Sequence, residues 1–466
     1  MKDPFVVYDL TILVLFSLFV FLFLLKNKKK IKREGLFFLY RTKTGLKAID
    51  RLTKKFKNVW KSIGTLVVVL GFIFMVLIFI LLIQSVFLTF KMPTKAPPVM
   101  PLLPYVPQAF KMPLPPLYFT YWLIIVAVIA ITHEFAHGIF ARLHKVKVKS
   151  TGFGFLGPFL LAFVEPDEKE MERKKKKAQL EILAAGSFSN FVFAIFFIIL
   201  LQLFSLAVYI PDGVGNYVYA YTTLNFSEIK SIGNYSLDAF LSLPDNELEK
   251  INERLEVKTE NKSYWIDPSL IKTIPFYKKT IVKQKVLVVY EDTPAYRANL
   301  SGGIKKIDGN EIKSIEDISK VLAKTKPNQT ISIETSVKNY TIKLDENKNK
   351  PGTGYLGIAF PRFSKTKLFL YKMTSPFFSP YLYLKPRFNK NVIKFFSDLF
   401  LWLILVCFFV ALFNMLPFGF LDGGKFIYVS ALALTKSKKK AERILKISSS
   451  ITSLIFVALI FAWLLG

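Results

Sequence analysis

The sequence predicts a polytopic α-helical membrane protein with about six transmembrane helices and an extracytoplasmic α+β domain. Three observations predict it. Of 466 residues, 52% are hydrophobic and 47 are Phe, and six apolar runs (5–25, 63–90, 117–142, 181–209, 396–417 and 446–465) each reach the length a bilayer crossing needs, about 20 residues. The net charge of +31 is gathered in alternate connections, where Lys26 to Arg33, Arg142 to Lys177 and Lys436 to Arg443 are rich in Lys and Arg. Finally, between the fourth and fifth runs the composition turns polar and alternates with the period of strands, as in Val286-Leu287-Val288-Val289-Tyr290 and Thr330-Ile331-Ser332-Ile333-Glu334.

The elements follow in order. Residues 1–62 hold an N-terminal anchor and a basic interfacial segment. The anchor is retained, because a basic cluster and no small-residue cleavage site follows it. The interfacial segment mixes lysines with Leu36 to Tyr40 and is expected to lie on the inner leaflet without chemistry of its own. Residues 63–116 form the second span and an outer loop stiffened by Pro93, Pro97, Pro98, Pro101, Pro104, Pro107, Pro113, Pro115 and Pro116. In 117–210, Thr151–Pro166 is apolar but broken by Gly152, Gly154, Gly157 and Pro158. Backbone of that kind at membrane depth must be buried in protein or line a wet cavity, so it is expected as a re-entrant loop or hairpin. Residues 211–284 and 285–360 are extracytoplasmic, 361–395 is an interfacial connector carrying Phe369, Tyr371, Phe377, Phe378, Tyr381 and Tyr383, and 396–466 holds the last two spans. By the positive-inside rule the basic connections are cytoplasmic, facing anionic lipids, and both termini and 210–395 are outside. Those lysines therefore do not predict nucleic-acid binding, and the outward-facing aromatics of 361–395 do not either. Cys407 is the only cysteine, which excludes an internal disulfide and a Cys-based metal cluster.

Two of the three histidines stand in His133-Glu134-Phe135-Ala136-His137, inside the third apolar run. Positions i and i+4 share a helix face, so both imidazoles can reach one Zn2+ ion while Glu134 points toward its water. A plain polar stripe has the same spacing, but ionisable groups in hydrocarbon cost several kcal/mol without a partner. His144, beside Lys145, reads as an interfacial residue. A catalytic zinc takes three protein ligands, and Asp422, an acid in the apolar stretch Asn414–Gly424, is the candidate third. Pro417, Gly419, Gly423 and Gly424 let the chain bend its carboxylate inward.

HEFAHG and NMLPFGFLDGG together resemble the two signature motifs of the site-2 protease family of intramembrane zinc metalloproteases. The resemblance implies zinc ligands His133, His137 and Asp422, Glu134 as general base, Asn414 on the substrate backbone, and transmembrane proteins as substrates. Gly186-Ser187-Phe188-Ser189-Asn190 resembles the family's Gly-Pro-x-x-Asn turn with Ser in the proline position, and makes Asn190 a polar group at the site, as an oxyanion stabiliser or a helix-packing amide. Ala162–Glu168 resembles archaeal members. Between the motifs, Gly302-Gly303-Ile304, Ile307-Asp308-Gly309-Asn310 and Ser314-Ile315-Glu316-Asp317 resemble a protease-type PDZ domain. There Tyr355, Leu356, Gly357 and Ile358 match the loop that receives a peptide carboxylate, which implies capture of an extended chain after ectodomain trimming. Ile229–Asn234 faintly echoes Ile304–Gly309, as a degenerate second copy would. Two rivals remain at this stage, a membrane cation transporter and a non-catalytic PDZ scaffold.

Overall fold

The computed structural model describes residues 4–34, 37–91, 99–110, 112, 114–156, 159–364, 368, 371 and 379–465. Among these, six helices are long and apolar enough to cross a membrane: Pro4–Lys26, Lys57–Lys91, Phe119–Leu143, Lys176–Val208, Lys390–Phe413 and Lys438–Leu465. They are the first to sixth spans below. Each contains most of its apolar run, yet the second, fourth, fifth and sixth start several residues earlier, at lysines. A helix needs backbone hydrogen bonds rather than apolarity, so it continues past the hydrocarbon edge. The chain divides into two compact units, one holding the sequence up to Ile198 and from Phe396 onward, the other Ile199–Phe395.

In the first unit the spans pack around Val67, Phe74, Ile78, Ile139, Phe140, Ile182, Leu183, Leu412, Met415, Phe426 and Leu459. Against them lies an antiparallel sheet, β1 (Ile31–Glu34), β2 (Phe37–Thr42), β3 (Val148–Leu156) and β4 (Phe159–Pro166), in the order β1-β2-β3-β4. The glycine-broken segment is thus the antiparallel pair β3–β4, with Phe153 opposite Ala162; Gly157 and Pro158 lie outside the described residues. Gly152 is required there, because a Cβ would strike the Tyr40 carbonyl and the Phe163 ring. The segment expected to be interfacial contains β1 and β2, which pair onto β3 with Tyr40 opposite Phe153. Its partner is more than a hundred residues away, and runs of four and six residues carry too little alternation to reveal it.

A buried carboxylate holds the N-terminal end of the third span. Asp9 of the first span has no exposed surface, and it accepts hydrogen bonds from the backbone N–H of Phe119 (2.8 Å) and of Thr120 (2.8 Å), the Thr120 hydroxyl (2.6 Å) and the Tyr105 hydroxyl. It acts as a helix cap supplied by another helix, an anion at the positive end of the dipole.

The second unit is α+β and has two lobes. One sheet orders Tyr221–Asn225, Val286–Glu291, Ser263–Ile266, Leu255–Lys258 and Ser231–Ile232 over a core including Ile232, Phe240, Val257 and Val289. The other orders Asn339–Lys343, Thr330–Thr335, Ile304–Ile307, Tyr209–Val214 and Leu382–Pro386 over Ile304, Ile307, Ile333 and Leu356. The boundary at 285 is therefore crossed, since 286–291 pairs into the lobe that precedes it. Part of the connector 361–395 is likewise a strand, with Lys385 opposite Ile210; Phe369, Phe377 and Phe378 lie outside the described residues, as do Pro93, Pro97, Pro98 and Pro113. Both lobes run strand, turn, serine-capped helix, hairpin, with Ser236 and Ser314 as the caps.

Candidate active site

The third span carries His133 and His137 on one face, and both are buried. The fifth span ends at Phe413; after an irregular turn a new helix, Asp422–Thr435, begins at Asp422 itself. Close packing fixes this reversal. The Gly423 N–H donates to the Asn414 carbonyl (2.8 Å), and a Cβ on Gly423 or Gly424 would run into the backbone of Met415, Leu416 or Phe418. Lys425 reaches Glu168 (2.9 Å), just beyond the end of β4, where its ammonium holds the Glu168 carboxyl below the usual range. Both side chains are mostly exposed, so the pair orients the turn and adds little stability.

The three nominated ligand atoms converge. Asp422 Oδ2 lies 3.2 Å from His133 Nε2 and 3.2 Å from His137 Nε2, and the two Nε2 atoms are 3.1 Å apart. A tetrahedral zinc with bonds of about 2.0–2.1 Å has ligand–ligand edges of about 3.3 Å, so this triangle is nearly one face of its coordination polyhedron. Gly186 of the fourth span leaves the room, since a Cβ there would lie 2.5 Å from both Nε2 atoms. The donor set and the cradle both fit zinc.

Glu134 and Asn414 border the same cavity. It measures about 370 Å³ and is lined by His133, Glu134, Asn414 and Asp422 together with apolar groups that include Leu161, Ala162 and Val410. Asn414 Nδ2 stands 3.5 Å from His133 Nε2. Glu134 Oε2 accepts the backbone N–H of Val164 (2.7 Å), so the edge of β4 that no strand covers among the described residues faces the third span. The chain belongs to peptidase family M50. That family's model matches residues 121–459, and M50 is the zinc metalloprotease family of the site-2 proteases. An uncharacterised protein of Methanocaldococcus jannaschii is 31% identical over 191 residues, 39% of this chain. The match spans 47% of that relative, so the chain covers about half the length of the curated protein it resembles.

In this M50 chain several polar residues take partners that the sequence did not specify. Asn190 is fully buried and lies behind His133, with its amide nitrogen 3.1 Å from Nδ1, away from the converging Nε2 atoms. His144 is not simply interfacial: its Nε2 pairs with buried Glu181 Oε2 at 2.6 Å, and Gly64 makes room for that carboxylate. Sequence reading passed over Asp9 and Glu181, although a lone acid in an apolar run is itself a signal. In the second unit, Leu356 and Gly357 are locked into their own lobe, where their carbonyls accept the N–H of Ala295 and Ala220, both at 2.9 Å. Gly357 has φ +82°, and a Cβ there would strike Thr293. Ile358 pairs with Tyr219 of the same chain.

Proposed function

We propose that this integral membrane protein is an intramembrane zinc metalloprotease that hydrolyses peptide bonds within or near transmembrane segments of membrane-protein substrates. The observation that carries the reading is the triangle of His133, His137 and Asp422 in one cavity with Glu134 and the edge of β4 opposite β3.

Zinc, when bound, supplies Lewis acidity that polarises the scissile carbonyl and acidifies water. Glu134 accepts a proton from the attacking water and returns it to the leaving nitrogen. A transmembrane helix hides its peptide groups in its own hydrogen bonds, so a substrate must unwind before it reacts. The edge of β4 offers backbone donors and acceptors around Ala162 that replace the bonds lost on unwinding, holding the substrate as an added strand. Asn414 borders the same cavity and can donate to a substrate carbonyl. Asn190 sits behind a ligand, and its position favours an orienting role over contact with an oxyanion.

His133 is 14 residues into its helix from Phe119, about 21 Å below the outer end, so water enters from the cytoplasmic side, where the basic connections meet anionic lipids. The second unit acts outside as a PDZ-like filter with its loop at Tyr355–Ile358, admitting proteins whose ectodomain has been trimmed.

The test is cleavage of single-span substrates in reconstituted vesicles, with and without a helix-breaking pair in the span. Wild type should cut the broken span faster and Glu134→Gln should cut neither. Cleavage that survives Glu134→Gln would overturn the proposal.

A further inference from the structure

One face of the fourth span presents three features at a spacing of four residues. The Ile182 carbonyl lies 2.7 Å from His137 Nδ1, the missing side chain of Gly186 leaves space at both Nε2 atoms, and the Asn190 amide lies 3.1 Å from His133 Nδ1. Residues i, i+4 and i+8 of a helix form such a stripe, and here it runs against the matching i, i+4 pair on the third span.

A carbonyl can only accept. His137 therefore carries its proton on Nδ1, and when neutral it presents the Nε2 lone pair to the centre of the triangle. The same logic applies to His133. Its Nε2 points at Asp422 and His137, so to ligate a cation it must hold its proton on Nδ1 and needs an acceptor there. As placed, the Asn190 amide turns nitrogen toward Nδ1, while its Oδ1 is buried with no partner among the described residues. Amide oxygen and nitrogen are told apart only by the bonds they make. Turned over, Oδ1 accepts from Nδ1–H and the amide nitrogen takes the unpartnered position.

We propose that the fourth span is a tautomer template, in which the Ile182 carbonyl and the Asn190 amide oxygen hold His137 and His133 as Nδ1–H imidazoles while Gly186 keeps the space between their Nε2 atoms open for the ion. Asn190 is thus a positioning residue, and its acceptor oxygen is what matters. The inference rests on the zinc-site reading and deepens it.

The experiment measures the zinc dissociation constant of full-length protein in detergent by competition with a chromophoric chelator, for wild type, Asn190→Leu and Asn190→Asp. Outer partners of ligating histidines are typically worth 10–100-fold in metal affinity. Asn190→Leu should therefore bind zinc about 10–100-fold more weakly, whereas Asn190→Asp, which restores an acceptor on Nδ1, should bind as tightly as wild type or more so. Unchanged zinc affinity in a folded Asn190→Leu overturns the template and favours direct contact with substrate. If the leucine variant does not fold, the aspartate variant decides: affinity more than tenfold below wild type shows that Asn190 was needed as a donor and refutes the proposal. Failure of wild type to bind zinc would sink the zinc-site reading instead.

Discussion

Gly186→Ala is the smallest change that should empty the metal site. The new Cβ would lie 2.5 Å from Nε2 of both His133 and His137, against about 3.4 Å or more for an ordinary van der Waals contact, so something must move by about 0.9 Å. The fourth span is packed through buried Ile182, Leu183, Ala184 and Ala185, which leaves the imidazoles to give way. Metal sites hold their ligand distances to within about 0.2 Å, so a displacement of that size breaks the ligand triangle. The fold has less at stake, because overpacking one methyl into a core costs about 1–3 kcal/mol. Zinc content of the purified protein, read by elemental analysis, should fall from about one equivalent in wild type to under a tenth in Gly186→Ala, with the elution profile in detergent unchanged. Gly419→Ala is the control, since a Cβ there meets nothing within 4 Å, and it should keep its zinc. A Gly186→Ala protein that retains a full equivalent would show that the triangle is not the metal site.

Other expectations follow from the same geometry. Asp422→Ala removes one corner of the triangle and should lose zinc and proteolysis together; full zinc occupancy in this variant would exclude Asp422 as a ligand. Glu134→Gln should keep at least 80% of wild-type zinc while proteolysis falls by about 10²-fold or more, the range for a general acid–base group, and loss of the metal would make Glu134 a ligand instead of a base. Asp9→Leu strands two helix-terminal N–H groups and two hydroxyls that now bond the carboxylate, and should destabilise the first unit by about 3–5 kcal/mol, seen as a lower thermal midpoint in detergent. A midpoint within a degree of wild type would refute its role as a cap.

The spans were legible because membrane crossing imposes a length and composition on contiguous residues. The triad was legible because each half sits in a short local pattern, His133 and His137 a helical turn apart and Asp422 among residues that permit a sharp reversal. The second unit was legible only as α+β: periodicity reveals Val286–Tyr290 and Thr330–Glu334 as strands, but pairing partners are chosen over long sequence distances, and Val286–Glu291 pairs across the expected boundary at 285.

What the sequence determined by itself, then, is the chemistry available: which side chains can ligate a metal, which can move a proton, and which stretches lie in hydrocarbon. Tertiary structure alone decided that Asn190 lies behind His133, that Gly186 is the opening between the imidazoles, that Asp9 caps a helix it does not belong to, and that β1 and β2 extend the sheet beside the cavity. The physical reason is the same in each case. Those roles are defined by a partner on another element, and a hydrogen bond or a steric gap between segments leaves no periodic trace in either one.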